Sequence, residues 1–167
     1  MGFHAVDDAL YVACSLKGLL RLDLASGQLE VLANLASDTN LPLNYVNDVD
    51  VAPNGDVYFT SSTERGVLFN ARKGFYDTLH SYLQNLCKGD NTGRLLKYDA
   101  STRQTTTLLS GLWYANGVAL SADFKDVMVV ETNLNRVHRY SLTTGKTEVF
   151  VDKIPAMPDG ISRSADG

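Results

Sequence analysis

The sequence predicts an all-β fold, a β-propeller of about three blades with the start of a fourth. Three observations predict it. Apolar residues come in short runs of strand length that alternate with polar ones. Turn-forming clusters separate the runs at short, regular intervals. A strand–turn–strand unit then recurs along the chain at a roughly constant period.

The first runs are Leu10–Ala13, Gly18–Asp23 and Leu29–Leu32, parted by Ser15-Leu16-Lys17-Gly18 and Ala25-Ser26-Gly27-Gln28. The same triplet recurs as Val57–Thr60, Arg94–Asp99 and Thr105–Leu109, and again as Val127–Val130, Arg136–Ser141 and Thr147–Val151. One helix is predicted, over Phe75–Leu86, where Phe75, Leu79, Tyr82, Leu83 and Leu86 fall near a 3.6-residue period and form one apolar face. It lies in a long excursion from about Glu64 to Asn91, a length that usually marks a lid or binding loop and equally fits a helix covering a sheet edge.

The repeat is carried by Asn47-Asp48-Val49-Asp50-Val51, running on to Val57-Tyr58-Phe59-Thr60, and by Asn116-Gly117-Val118-Ala119-Leu120, running on to Val127–Val130. A third copy opens at Asp159-Gly160-Ile161, and a worn one spans Phe3–Val12. Asn116 follows Asn47 by 69 residues and Asp159 follows Asn116 by 43; without the excursion the two intervals nearly match. A period of roughly 40–50 residues with four strands per unit describes a propeller blade, with a β-sandwich the alternative. The blades fall near 3–44, 45–113 (with the helical insertion at about 64–91) and 114–156, and the next begins at 157–167. An arc of three blades exposes its end faces, so the expectation is a ring completed by blades outside this chain or by a second copy in a homodimer.

Composition sets the outer bounds. The 167 residues are 44% hydrophobic and 20% charged, values of a folded domain, and the net charge of -4 without a basic run speaks against nucleic acid as a partner. No apolar stretch reaches the roughly 18 residues needed to span a bilayer, and Met1–Asp8 lacks the basic and apolar regions of a signal peptide. Cys14 and Cys87 have no CxxC spacing and read as free thiols rather than a disulfide. No Gly-x-Ser-x-Gly, P-loop or HExxH occurs, which leaves serine-hydrolase, nucleotide and zinc chemistries unsupported.

The candidate site follows from the repeat. Asn47, Asn116 and Asp159 each stand two residues before the first apolar residue of an inner strand. Radial blades turn equal positions toward one axis, so equal register gathers their oxygens around one point. Such a ring suits Ca²⁺, which takes about six to eight hard oxygens; the competing reading is that Asn and Asp merely favour turns. Asp48 is a candidate for a supporting role, and Trp113 and Tyr114 for walls of a small-molecule pocket. His4, in an inner strand, is the histidine nearest the axis, while His80 and His138 read as surface or structural. Glu131, at a strand end, is the default edge carboxylate.

The runs NDVDVAPNGDVYFTSST, TGRLLKYD, YANGVALSADF, VMVVETNLNRVHRYSL and EVFVDKIPAMPDGISRSADG resemble the strictosidine-synthase-like family, which includes the adipocyte plasma membrane-associated proteins and is related more distantly to paraoxonases and gluconolactonases. The resemblance runs from Gly2 to Gly167. It implies a six-bladed propeller of which this chain supplies the second to fourth blades. It also implies a calcium ion held by Asn47 of the ND motif, Asn116 of the ANG motif and Asp159 of the PDG motif, with a first-blade Glu from upstream of Met1. In the metal-dependent relatives the ion polarises a lactone or ester carbonyl, which implies an arylesterase- or lactonase-like hydrolase. Two alternatives stand beside it: a non-catalytic propeller binding a ligand or partner, and a metal-free amine–aldehyde condensing enzyme whose glutamate lies beyond Gly167. The resemblance also allows an upstream anchor or secretory signal.

Overall fold

In the computed structural model, the backbone of residues 2–4 and all of residues 7–164 are described. Three four-stranded antiparallel sheets follow one another along the chain. The first holds β1 (Gly2–His4), β2 (Ala9–Cys14), β3 (Gly18–Asp23) and β4 (Leu29–Ala33) in that order. The second holds β5 (Val46–Val51), β6 (Val57–Ser61), β9 (Gly93–Tyr98) and β10 (Thr105–Leu112). Between β6 and β9 it is interrupted by a hairpin, β7 (Leu68–Asn70) with β8 (Phe75–Asp77), and by helix α1 (Thr78–Lys88). The third holds β11 (Ala115–Leu120), β12 (Asp126–Glu131), β13 (Arg136–Ser141) and β14 (Thr147–Val151). Strands β1, β5 and β11 are innermost and pack against the neighbouring sheets, which makes the architecture that of a β-propeller.

Side-chain alternation explains the packing. Phe59 and Leu96 leave one face of the second sheet and join Tyr11, Leu19, Val46 and Val57 in a core shared with the first sheet. Their neighbours Tyr58 and Leu95 leave the other face and pack with Val118, Leu120 and Val127 of the third. Both faces of β6 are therefore covered, and all five of its residues are buried. Each fully buried side chain of this size contributes about 1.5–3 kcal/mol. The outermost β14 is exposed along its whole length, with Val149, Phe150 and Val151 facing solvent.

Polar ties fix how the second and third sheets index. The Val118 and Leu120 amides donate to the Asp48 and Asp50 carboxylates at 3.0 and 2.8 Å. Ser62 and Thr60 hydroxyls donate to the Ala115 and Asn116 carbonyls at 2.7 and 2.5 Å.

The helix differs from the sequence expectation at its start and in its facing. Phe75, Tyr76 and Asp77 pair with Asn70, Phe69 and Leu68 as a strand. Asp77 then caps α1 by accepting from the His80 amide at 3.0 Å. Gly89, in the left-handed region with φ 61°, closes the other end. The apolar set points outward: Leu79, Leu83 and Leu86 are exposed, and the helix buries Ser81 and Asn85 instead. Ser81 accepts from the Leu68 amide, and the Asn85 carbonyl oxygen accepts from the Asn133 side chain, while the Asn85 NH₂ is buried without a partner among the described residues. No helix among the described residues is long and apolar enough to cross a membrane.

Candidate functional site

Asn47 and Asn116 occupy the same irregularity in two successive sheets. Pairing of β5 with β6 runs Val46 to Ser61 and then skips to Val49 with Phe59; pairing of β11 with β12 runs Ala115 to Glu131 and then skips to Val118 with Val129. The residues left out of the ladders, Asn47-Asp48 and Asn116-Gly117, form bulges, which re-aim side chains. Asp159 reaches the same place differently. Residues 152–164 contain no strand, and the segment lies along β11, where the Gly117 amide donates to the Asp159 carbonyl at 3.0 Å. A Cβ on Gly117 would stand 2.6 Å from the Ile161 nitrogen and 2.8 Å from the Asp159 carbonyl oxygen, so only glycine permits this approach.

The three residues line one cleft of about 390 Å³ together with Thr132 and a collar of Tyr45, Tyr114, Met157 and Tyr82. Proton accounting orients the amides. Ser62 Oγ spends its one proton on the Ala115 carbonyl, and Thr132 Oγ1 spends its own on the Pro158 carbonyl at 2.9 Å. Each hydroxyl is left only as an acceptor, so it receives the Asn47 Nδ2 at 2.9 Å and the Asn116 Nδ2 at 3.0 Å. Both amide oxygens are thereby turned away from the hydroxyls.

Tyr45 and Tyr114 share the repeat register, each two residues before its Asn, and both adopt positive φ (54° and 65°). Their rings meet edge to face at 5.6 Å between centroids, and Tyr82 of α1 meets Tyr114 the same way at 4.9 Å. Burial pushes all three phenols above the ordinary tyrosine range, Tyr114 most strongly, with the Tyr45 hydrogen bond and the Asp159 charge adding to the rise. Met157 holds the corresponding place before Asp159. The repeat offset that finds Asn47, Asn116 and Asp159 would also have found Tyr45 and Met157.

The other candidates separate. Tyr114 lines the cleft, but Trp113 does not; its ring lies over Gly89 at the end of α1. Asp48 lies beside the cleft residues in sequence, yet its carboxylate accepts the Val118 amide between sheets. The side chain of His4 lies outside the described residues. His80 is exposed and bonded to Gln84. Glu131 is not an edge carboxylate. It is fully buried, accepting from Arg136 Nε at 2.5 Å and from the Trp113 amide at 2.8 Å, and its Oε2 lies 2.7 Å from His138 Nε2. Burial works to raise its pKa, and the hydrogen bonds from His138, Arg136 and Trp113 outweigh it, leaving the carboxyl below its ordinary range. Cys14 and Cys87 are free thiols.

The propeller with an oxygen-lined axial cleft defines a class, and comparison with known proteins narrows it. The strictosidine synthase family profile matches residues 47–146. Strictosidine synthase-like 2 of Arabidopsis thaliana is 38% identical across the whole chain, and the adipocyte plasma membrane-associated protein of Salmo salar is 34% identical over 95% of it. The chain belongs to the strictosidine synthase family. It spans 43% and 36% of the lengths of these two relatives. Among solved structures, a gluconolactonase from Xanthomonas campestris superposes with a TM-score of 0.73 at 19% identity, over 99% of this chain and 52% of that one. Regucalcin from Agrobacterium tumefaciens, described as a calcium-binding protein, superposes at 0.62 with 24% identity, over 96% of this chain and 48% of the other.

Proposed function

We propose that the cleft belongs to a calcium-assisted ester or lactone hydrolase, with Asn47, Asn116 and Asp159 as this chain's contribution to the metal site. The observation that carries the reading is the gathering of two bulge asparagines and one aspartate from three successive units in a single cleft. The donor set fits the ion: two neutral amide oxygens of fixed orientation and one carboxylate are all hard ligands, and about three to five further oxygens complete a calcium shell. Those come from water and from blades outside this chain, including an acidic residue, in a ring of six. A calcium ion bound there supplies Lewis-acid polarisation of a carbonyl.

This chain's own residues do the rest. Ser62 and Thr132 hold the amides, and Gly117 seats the Asp159 segment. The protonated Tyr45 and Tyr114 phenols, with Tyr82 and Met157, present an apolar rim that excludes water and seats a substrate. The names of the gluconolactonase and calcium-binding neighbours agree with this reading. The test is hydrolysis of phenyl acetate and a simple lactone by the full-length protein and its Asn116→Ala/Asp159→Ala variant. Chelator-sensitive turnover that disappears in the variant is expected, and undiminished turnover in the variant overturns the proposal.

A further inference from the structure

Ser15, Ser62 and Thr132 occupy one position of the repeat, the residue directly after the second strand of each sheet (β2, β6 and β12). Each donates to the carbonyl that immediately precedes the axial donor of the next unit. Ser15 Oγ reaches the Val46 carbonyl at 3.3 Å, before Asn47. Ser62 Oγ reaches that of Ala115 at 2.7 Å, before Asn116. Thr132 Oγ1 reaches that of Pro158 at 2.9 Å, before Asp159. Ser62 and Thr132 also hold the amide of their own unit. The bonds therefore run from the Asn47 side chain through Ser62 to the Ala115 carbonyl, one peptide before Asn116, and from the Asn116 side chain through Thr132 to the Pro158 carbonyl, one peptide before Asp159.

We infer that this hydroxyl chain is an indexing device for the metal site: it sets both the direction of each amide oxygen and the spacing between donors of neighbouring blades. The inference rests on the calcium reading for its ligand, while the orientation it assigns is a property of the chain itself. Ser62 and Thr132 are positioning residues, since neither needs to touch the ion. Losing either hydroxyl frees the amide to rotate its NH₂ toward the cleft, where it repels a cation. Outer-shell changes of this kind typically lower metal affinity about 10–100-fold.

The experiment is calorimetric Ca²⁺ titration of the full-length protein and its Ser62→Ala, Thr132→Val and Thr132→Ser variants, with thermal unfolding of each and with exchange of the ¹⁵N-labelled Asn47 and Asn116 side-chain amides followed by NMR. Ten- to hundredfold weaker binding in Ser62→Ala and Thr132→Val is expected, with Thr132→Ser within about threefold of wild type and unfolding temperatures little changed. Ser15→Ala loses a carbonyl bond but frees no amide, and should weaken binding less than the other two. Wild-type affinity in Ser62→Ala and Thr132→Val, beside lost binding in Asn116→Ala, overturns the indexing role and leaves the calcium site standing. If the wild type binds no calcium, the calcium reading falls and the amides decide the rest. Slow exchange in wild type that quickens in Thr132→Val supports the orientation. Fast exchange in wild type overturns it, and that wild-type measurement also serves if a variant fails to fold.

Discussion

Replacing Gly117 by alanine tests whether the Asp159 segment is seated as described. The added methyl would lie 2.6 Å from the Ile161 nitrogen, 2.8 Å from the Asp159 oxygen and 2.8 Å from the Gly160 carbonyl carbon. All three are backbone atoms, so no rotamer change relieves the contact. Restoring an ordinary separation requires the 159–161 backbone to retreat by roughly 0.6–0.8 Å, and the Gly117–Asp159 hydrogen bond of 3.0 Å stretches with it. Overpacking of this kind costs about 1–3 kcal/mol when the surroundings cannot yield. The contact is relieved only by moving the 159–161 backbone, so the larger effect falls on the position of the Asp159 carboxylate. Calcium titration and thermal unfolding of full-length Gly117→Ala should show affinity reduced at least tenfold, with an unfolding temperature lowered by a few degrees. Gly160→Ala is the control, because a Cβ there meets nothing within 4 Å; it should behave as wild type. Equal affinity in Gly117→Ala and wild type would refute the reasoning.

Glu131→Gln removes the buried charge that pairs with Arg136 and should cost about 3 kcal/mol at neutral pH, measured by urea unfolding. The folded-state pKa of Glu131 lies below its ordinary value, so its stabilisation is complete above about pH 5 and is lost as pH falls through the folded pKa; the gap between wild type and variant should close in acid, and a gap that stays constant would contradict the assignment. Leu83→Lys on the outer face of α1 should change stability by less than about 0.5 kcal/mol by the same measurement, and a loss of 2 kcal/mol or more would mean that the apolar face is covered.

The strands were readable because alternation of apolar and polar residues is a local signal: Gly18–Asp23, Arg136–Ser141 and Thr147–Val151 form with the predicted bounds. Convergence of Asn47, Asn116 and Asp159 was readable because equal register in a radial repeat means one place in space. The facing of α1 was not. Amphipathicity assumes that apolar residues turn inward, whereas Ser81 bonds to Leu68 of the insertion hairpin, Asn85 bonds to Asn133 of the third unit, and these two take the buried face. The strand β8 was read as helix because Phe75 fits the helical period, and only its pairing with Asn70 decides otherwise. Glu131 is buried because the Trp113 amide and the Arg136 side chain draw its carboxylate inward, and no local pattern records that.

The central claim is that three oxygens of this chain hold calcium at the axial cleft. Calorimetric titration of the full-length protein with Ca²⁺, beside Asn47→Ala, Asn116→Ala and Asp159→Ala, tests it most directly. The account predicts one saturable site per chain, weakened at least tenfold by each substitution without loss of folding. Binding of unchanged affinity and stoichiometry in all three variants would contradict it.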